Sequence, residues 1–372
     1  MLTQRKKNRP VTAIYIHIPF CQHICDYCDF PKLQYFRLFG EKYLSSLKKE
    51  MESYNIPDTI KTIYVGGGTP TALDDDLFLE LLKIIKPYTN QVEEYTFEAN
   101  PESLSKEKLE LMKEYGVNRI SLGVQTTKNE ILEKIGRKHT FEDAKTAVSL
   151  ARKVGFDNLN VDLIIGLPGV QKEQFKEDLT NVVGLGVDHI SCYSLTVHPN
   201  TMFFIKGIKE PKEELSRELY DYAEEFLKEK GFVHYEISNW AKPDKESKHN
   251  LTYWKDEHYY GFGMGAAGYI EDIRYTNTKS ISKYNAGEYR DEEEHVTYQD
   301  DLLYYLMLNL RTNRGIEFKD YIFRFKRDFL TDHRDTISRL VNEKLLVLTE
   351  DRVYPTYDGM MVLDQIIMEL SE

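Results

Sequence analysis

From Val11 to about Leu195 the chain alternates short β-branched apolar runs with longer stretches whose apolar residues recur at helical spacing. The runs predict strands at 13–18, 62–65, 95–98, 119–124, 160–165 and 189–195. Between them lie amphipathic segments such as "LDDDLFLELLKIIK", "SKEKLELMKEYG" and "TFEDAKTAVSLARKVG", the last two ending on glycines placed like C-caps. Strands that are nearly continuously apolar imply a parallel sheet covered by helices on its faces. Eight such units close a full barrel, whereas six leave it open and partial. In either case ligands gather where strands end and helices begin.

After Leu195 this rhythm stops. A long charged helix, "PKEELSRELYDYAEEFLKEKG", leads to a short strand, "FVHYEIS", and then to an irregular stretch rich in Gly and aromatics. The last seventy or so residues read as helices followed by "KLLVLTEDRVYPTYDGMMVLDQII", which suits a helix, a two-stranded wing and a helix. That unit lacks a clear basic face, which favours a packing or lid role over DNA binding. The predicted architecture is α/β: a partial (β/α)6 barrel over residues 11–210 and a smaller, partly winged-helix-like α+β region over 211–372.

Composition narrows the setting. The 372 residues are 41% hydrophobic and 30% charged, with no apolar run of membrane-spanning length. The basic start, Arg5 to Arg9, lacks the apolar core of a signal peptide, so a cytoplasmic protein is expected. In that reducing compartment four cysteines do not make a disulfide framework. A net charge of −12 argues against nucleic acid as a partner. The 26 Tyr, 18 Phe and 2 Trp suit a large flat ligand, although cores also use aromatics.

The chemistry concentrates in "YIHIPFCQHICDYCDFPKL", where Cys21, Cys25 and Cys28 form C-x3-C-x2-C directly after the first predicted strand. A structural zinc site needs four closed ligands, usually from paired C-x2-C hooks, and no second hook is present. His23 or Asp26 could donate a fourth ligand from the same crowded loop. Three thiolates also suit a 4Fe–4S cluster with one iron left open. Cys192 could be a fourth ligand, but a buried small hydrophobe is the commoner fate of such a residue.

Further candidates sit at the predicted strand ends, with Asp162 within the fifth strand. Gly66-Gly67-Gly68, in "YVGGGTPTAL", would let backbone approach a ligand closely or form a tight β–α turn. Glu98 in "FEANP", Gln125 in "SLGVQT" and Asp162 in "VDLIIGLPG" would point into a barrel mouth; each alone could instead be a capping or core residue. Arg137, in "GRKH", could pair with a carboxylate.

The cysteine spacing after a first β-strand resembles the radical S-adenosylmethionine (SAM) superfamily, whose fold is a partial (β/α)6 barrel. The resemblance implies a 4Fe–4S cluster on Cys21, Cys25 and Cys28, with SAM bound at the open iron. "YIHIPFC", "GGGTPT", "GVQ", "GRKH" and "DLIIGLPG" further resemble the family that contains oxygen-independent coproporphyrinogen III oxidase and the haem chaperones. Carried over residue by residue, that resemblance implies SAM contacts from Tyr15, Tyr27, Gly68, Thr69, Glu98, Gln125, Arg137 and Asp162.

Two features point to the chaperone branch. The oxidase motif continues as C-x3-C-x2-C-x-C, and the matching position here is Phe30. The oxidase also has an N-terminal extension, whereas 14 residues precede Tyr15 here. In the segment 248–269, His249 to Trp254 match the H-N-x-x-Y-W string of that branch, which implies that His249 binds haem. From the residues alone, a capped helix with Tyr253 and Trp254 in the core is the favoured account, and the match of the whole string reverses that preference. "GFGMGAAG" would then be a close-packed turn beside that site, with Arg274 and Asn277 as candidate propionate contacts. The expected function is haem delivery to acceptor proteins, membrane respiratory enzymes among them, with an electron donor required if SAM is cleaved. The alternatives are coproporphyrinogen III decarboxylation and a related radical-SAM methyltransferase or haem-opening enzyme.

Overall fold

The computed structural model describes residues 9–371, so the basic start up to Asn8 lies outside the described residues. All six predicted parallel strands are present: β1 (Val11–Ile18), β2 (Thr62–Gly67), β3 (Glu94–Ala99), β4 (Arg119–Gln125), β5 (Leu159–Ile165) and β6 (His189–Ser194). They pair in sequence order, and their buried Ile, Val and Leu pack under the connecting helices. The two glycines expected as helix stops, Gly116 and Gly155, both adopt positive φ, at 94° and 99°.

The short strand expected at "FVHYEIS" is β7 (Val233–Glu236), and the stretch after it, expected to be irregular, is ordered into the same sheet: β7 and β8 (Asn239–Ala241) extend it beyond β6. On the other side β9 (His258–Phe262) runs parallel to β1, followed by β10 (Ala267–Ile270), β11 (Ile273–Asn277) and β12 (Arg290–His295). The result is one 12-stranded sheet in the order β12-β11-β10-β9-β1-β2-β3-β4-β5-β6-β8-β7. "HYYGF" hides its strand character behind Gly261, where a Cβ would lie 1.8 Å from the Ala267 carbonyl oxygen. The glycine is there for that close backbone approach, and it breaks the apolar pattern.

A second core, from Tyr305 to Leu370, gathers under a three-stranded sheet in the order 316–317, 352–355, 346–348. This is the winged-helix-like unit. A buried ionic seam joins it to the barrel: Asp256 receives Arg9 from the N-terminal side, Arg274 from β11 and Arg324 from the C-terminal unit. Arg274 is therefore a seam residue, stacked between Tyr269 and Tyr304 at 4.2 and 4.3 Å. Asn277 donates to Glu50 Oε1 at 2.6 Å and to the Gly263 carbonyl at 3.0 Å. Both side chains already have structural partners, and neither offers a propionate contact. No helix among the described residues is long and apolar enough to cross a membrane.

Candidate functional site

At the C-terminal ends of the parallel strands lies a cavity of about 360 Å³. Cys21, Cys25 and Cys28 line one side of it, on the loop that leaves β1. That loop is pinned from both flanks: Asp26 N donates to the Ile135 carbonyl at 3.1 Å, and Phe203 N donates to the Asp26 carbonyl at 2.9 Å. Its return is held by Phe20–Cys21 pairing with Leu33–Gln34, and by His17 Nε2, 2.7 Å from the Pro31 carbonyl. Burial pushes the Cys21 thiol up to about 12 and raises that of Cys28, so both are neutral thiols unless a metal takes the proton.

These residues fit a multi-iron cluster. Three thiols delivered by one loop to one side of the cavity could each meet a different iron of a cluster. Cys192 lies apart from them. It is 2% exposed in the apolar layer behind β6, whereas its neighbour Tyr193 faces the cavity. Strand alternation separates the two.

Around the same cavity the parallel strands and the segments that follow them deliver most of the expected polar groups, while Tyr27 comes from the thiol loop itself and Arg137 lies 3.7 Å from Cys25 Sγ. Tyr27, Gly68, Thr69, Glu98, Gln125, Arg137 and Asp162 all line the cavity. Glu98 accepts from Tyr64 Oη at 2.7 Å and from Gly67 N at 2.9 Å. Burial still outweighs these bonds and lifts its carboxyl to about 7. Asp162, raised by the same cause, is held by Asn160 at 2.7 Å and Ser121 at 3.3 Å. Arg137 donates to Asn100 Oδ1 at 2.8 Å, Asn100 donates to Thr69 Oγ1 at 3.1 Å, and Thr69 lies 3.8 Å from Cys21 Sγ. A polar chain thus runs from a buried guanidinium to the first thiol. Gln125 sits at φ 70°, where a β-bulge turns β4 at its end; such backbone costs on the order of 1–3 kcal/mol.

Tyr15 does not line the cavity. Its hydroxyl is 2.9 Å from His17 Nδ1, and its ring packs 6.2 Å from Tyr64, which does line it. The glycine triplet answers first to the protein's own packing. A Cβ at Gly67 would meet the His17 ring at 2.4 Å, and one at Gly68 would meet the Phe20 carbonyl oxygen at 2.7 Å. The sequence reading missed Tyr64, Asn100, Ser121 and Tyr193, which also line the cavity. Tyr64, Ser121 and Tyr193 share the strand parity of Glu98 and Asp162, and that parity was the available signal.

His249 lies one ring layer below. The helix Lys248–Trp254 plugs the N-terminal end of the barrel, with Glu94 accepting from Lys248 N and His249 N at 3.0 Å each. His249 Nδ1 is 2.9 Å from Thr62 Oγ1, its Nε2 is 2.7 Å from Tyr253 Oη, and its face stacks on Tyr64 at 5.2 Å. The residue is 0% exposed, and burial holds its pKa down to about 3. In this arrangement the expected haem imidazole presents no free ring nitrogen. Trp254 packs against Tyr235, Ala241 and Leu251.

Residues 15–182 match the radical SAM superfamily, and residues 296–362 match the HemN C-terminal domain. The curated "Heme chaperone HemW" of Bacillus subtilis (strain 168) is 38% identical, over 95% of this chain and 97% of its own. That of Lactococcus lactis is also 38% identical, over 95% of each chain. The Escherichia coli (strain K12) protein of the same description is 33% identical, over 81% and 83%. Among solved structures, the radical SAM enzyme coproporphyrinogen III oxidase (HemN) from Escherichia coli superposes with a TM-score of 0.84. It covers 99% of this chain and 91% of its own at 23% identity, a likeness of fold.

Proposed function

The chain belongs to the HemW family within the radical SAM superfamily, and from that premise we propose that it is a haem chaperone. It would bind haem and pass it to acceptor proteins, using a 4Fe–4S cluster and SAM as resident cofactors. The observation that carries this reading is 38% identity to curated haem chaperones across both the barrel and the C-terminal unit. Phe30, which replaces the extra cysteine of the oxidase motif and is 59% exposed at the cavity rim, supports the same side. Respiratory enzymes as acceptors, an electron donor and a cytoplasmic location belong to this proposal. The reducing cytoplasm would keep Cys21, Cys25 and Cys28 available to iron.

Cys21, Cys25 and Cys28 would hold the cluster. Tyr27, Gly68, Thr69, Glu98, Gln125, Arg137 and Asp162 would hold SAM, with Tyr15 supporting Tyr64 from behind. Bound together, the two cofactors supply one-electron chemistry. This chain's residues would supply charge matching: Glu98 and Asp162 would suit the cationic groups of SAM, and Arg137 would suit its carboxylate. The thiol loop and the strand ends keep that pairing away from water, where each contact is stronger.

Glu98→Ala and Asp162→Ala should each weaken SAM binding by about 1–3 kcal/mol while iron content stays near wild type. Isothermal titration with parallel iron analysis checks this, and unchanged affinity in both variants removes these residues from the site. Because Glu98 titrates near pH 7 in the fold, a cationic ligand beside it favours the carboxylate. SAM binding should therefore release part of a proton at neutral pH and tighten as pH rises from 5 to 7. Titrations in buffers of different ionisation enthalpy read the proton directly, and Glu98→Gln should abolish that release.

The function itself is tested with reconstituted protein, SAM and reductant, offered either haem or coproporphyrinogen III. Haem retained without new porphyrin product is the expected result. Formation of protoporphyrinogen assigns the chain to decarboxylation instead.

A further inference from the structure

On the haem-chaperone reading His249 meets the iron, yet in this structure its ring is held on three sides. Thr62 Oγ1 lies 2.9 Å from Nδ1, and Tyr253 Oη lies 2.7 Å from Nε2. The Tyr64 ring stacks on one face at 5.2 Å, with 29° between the planes. Thr62 and Tyr64 stand two residues apart on β2 and so share one face of that strand. Of the three holders, Tyr64 alone lines the thiol cavity. It is half-buried and borders about 360 Å³ of open space, into which its ring can turn about χ1.

The other end of Tyr64 reaches the side expected to bind SAM. Its hydroxyl donates to Glu98 Oε1 at 2.7 Å, while Gly67 N donates to Glu98 Oε2 at 2.9 Å. Gly66 makes room for this arrangement, since a Cβ there would lie 2.6 Å from the Glu98 carboxylate. Glu98, Tyr64 and His249 therefore form one column from the cavity to the motif helix. Its links are a hydrogen bond and a ring stack. The carboxylate has lone pairs to spare, so a ligand can bind it without displacing Tyr64. A cationic ligand there favours the ionised form, and an ionised acceptor holds the Tyr64 hydroxyl more strongly than a protonated one.

We propose that Tyr64 is a positioning residue that couples the two ligands: SAM on Glu98 keeps Tyr64 against His249 and the imidazole shut, and without SAM both rings can turn so that haem is held. Binding of SAM is then the signal that releases haem to an acceptor. The inference rests on the haem-chaperone reading and adds to it the order of events. By linkage, haem on His249 lowers the affinity for SAM by the same factor.

The test is a haem titration of cluster-reconstituted full-length protein, followed by Soret absorbance with and without SAM. Reductant is left out so that SAM stays intact, and calorimetry first sets the SAM concentration that saturates each variant. In the wild type SAM should weaken haem binding about tenfold, a common size for coupling between sites. Tyr64→Phe keeps the ring stack but loses the bond to Glu98, so the SAM effect should fall below about threefold. Thr62→Val loosens the same imidazole without touching that bond; haem should bind more tightly and the SAM effect should persist. A purely structural Tyr64 would not give this split. Equal haem affinity with and without SAM in the wild type would overturn the proposal, as would an undiminished SAM effect in Tyr64→Phe. Failure of the wild-type protein to bind haem at all would instead refute the chaperone reading on which the proposal stands.

Discussion

Replacing any one of Cys21, Cys25 or Cys28 with Ala should remove the visible iron–sulfur absorbance of the reconstituted protein, while Cys192→Ala leaves it intact. The first three side chains face one cavity from a loop pinned at Asp26 and Pro31, so no other thiol is positioned to replace a lost one. Cys192 is held in the apolar layer behind β6, with burial raising its pKa. Its alanine variant should cost about 1 kcal/mol of packing and no iron. Each loop variant should fold, because the loop is held by backbone bonds at Asp26 and by the Phe20–Cys21 pairing with Leu33–Gln34, which a change of side chain leaves in place. Circular dichroism and iron and sulfide analysis separate the cases. Loss of the cluster in Cys192→Ala would show that a fourth thiolate is needed and that no iron is left open.

His249→Ala should destabilise the fold by about 2–4 kcal/mol, measured by denaturant unfolding. The substitution opens a cavity under Tyr64 and strands Thr62 Oγ1 and Tyr253 Oη without their shared partner. It should also change the acid limb of the stability curve. In wild type the ring stays neutral in the fold down to about pH 3 but takes a proton when unfolded below about 6.5. Stability from this residue is therefore complete above pH 6.5 and lost as pH falls toward 3. The variant should show a shallower decline over that window. Unchanged stability, with an unchanged pH profile, would mean that the helix plug is not what holds this end of the barrel.

The strand-end residues and His249 show why some of the site was legible in the sequence and some was not. Cys21, Cys25, Cys28, Glu98 and Gln125 stand at or just beyond the ends of strands whose β-branched runs are unambiguous, and Asp162 lies within one, so a β–α pattern places them at one mouth. Tyr64 and Tyr193 have the same parity but no distinctive chemistry, and they were passed over. His249 carries distinctive chemistry in a distinctive string. Yet whether its nitrogens are free depends on Thr62, far away in sequence, and on Tyr253 one turn ahead. A local reading cannot see the first of those bonds. β9 was hidden for a third reason: Gly261 is required by a backbone contact across the sheet, and it erases the local strand pattern.

The position of β1 has a consequence for how the chain is made. This first strand lies between β2 and β9, and its register pairs Tyr15 with Tyr64 on one side and Gly261 on the other. During synthesis the β2 edge can be covered early, but the β9 edge stays bare until residues near 262 have emerged. At roughly 5–20 residues per second that interval is on the order of ten to fifty seconds. Throughout it, a flat apolar strand with unpaired amides remains open to adventitious pairing. The loop bearing Cys21, Cys25 and Cys28 is joined directly to that strand. Metallation of the nascent chain would therefore act on a half-built sheet, and an early cluster could serve as a clamp on the strand that waits longest for its neighbour.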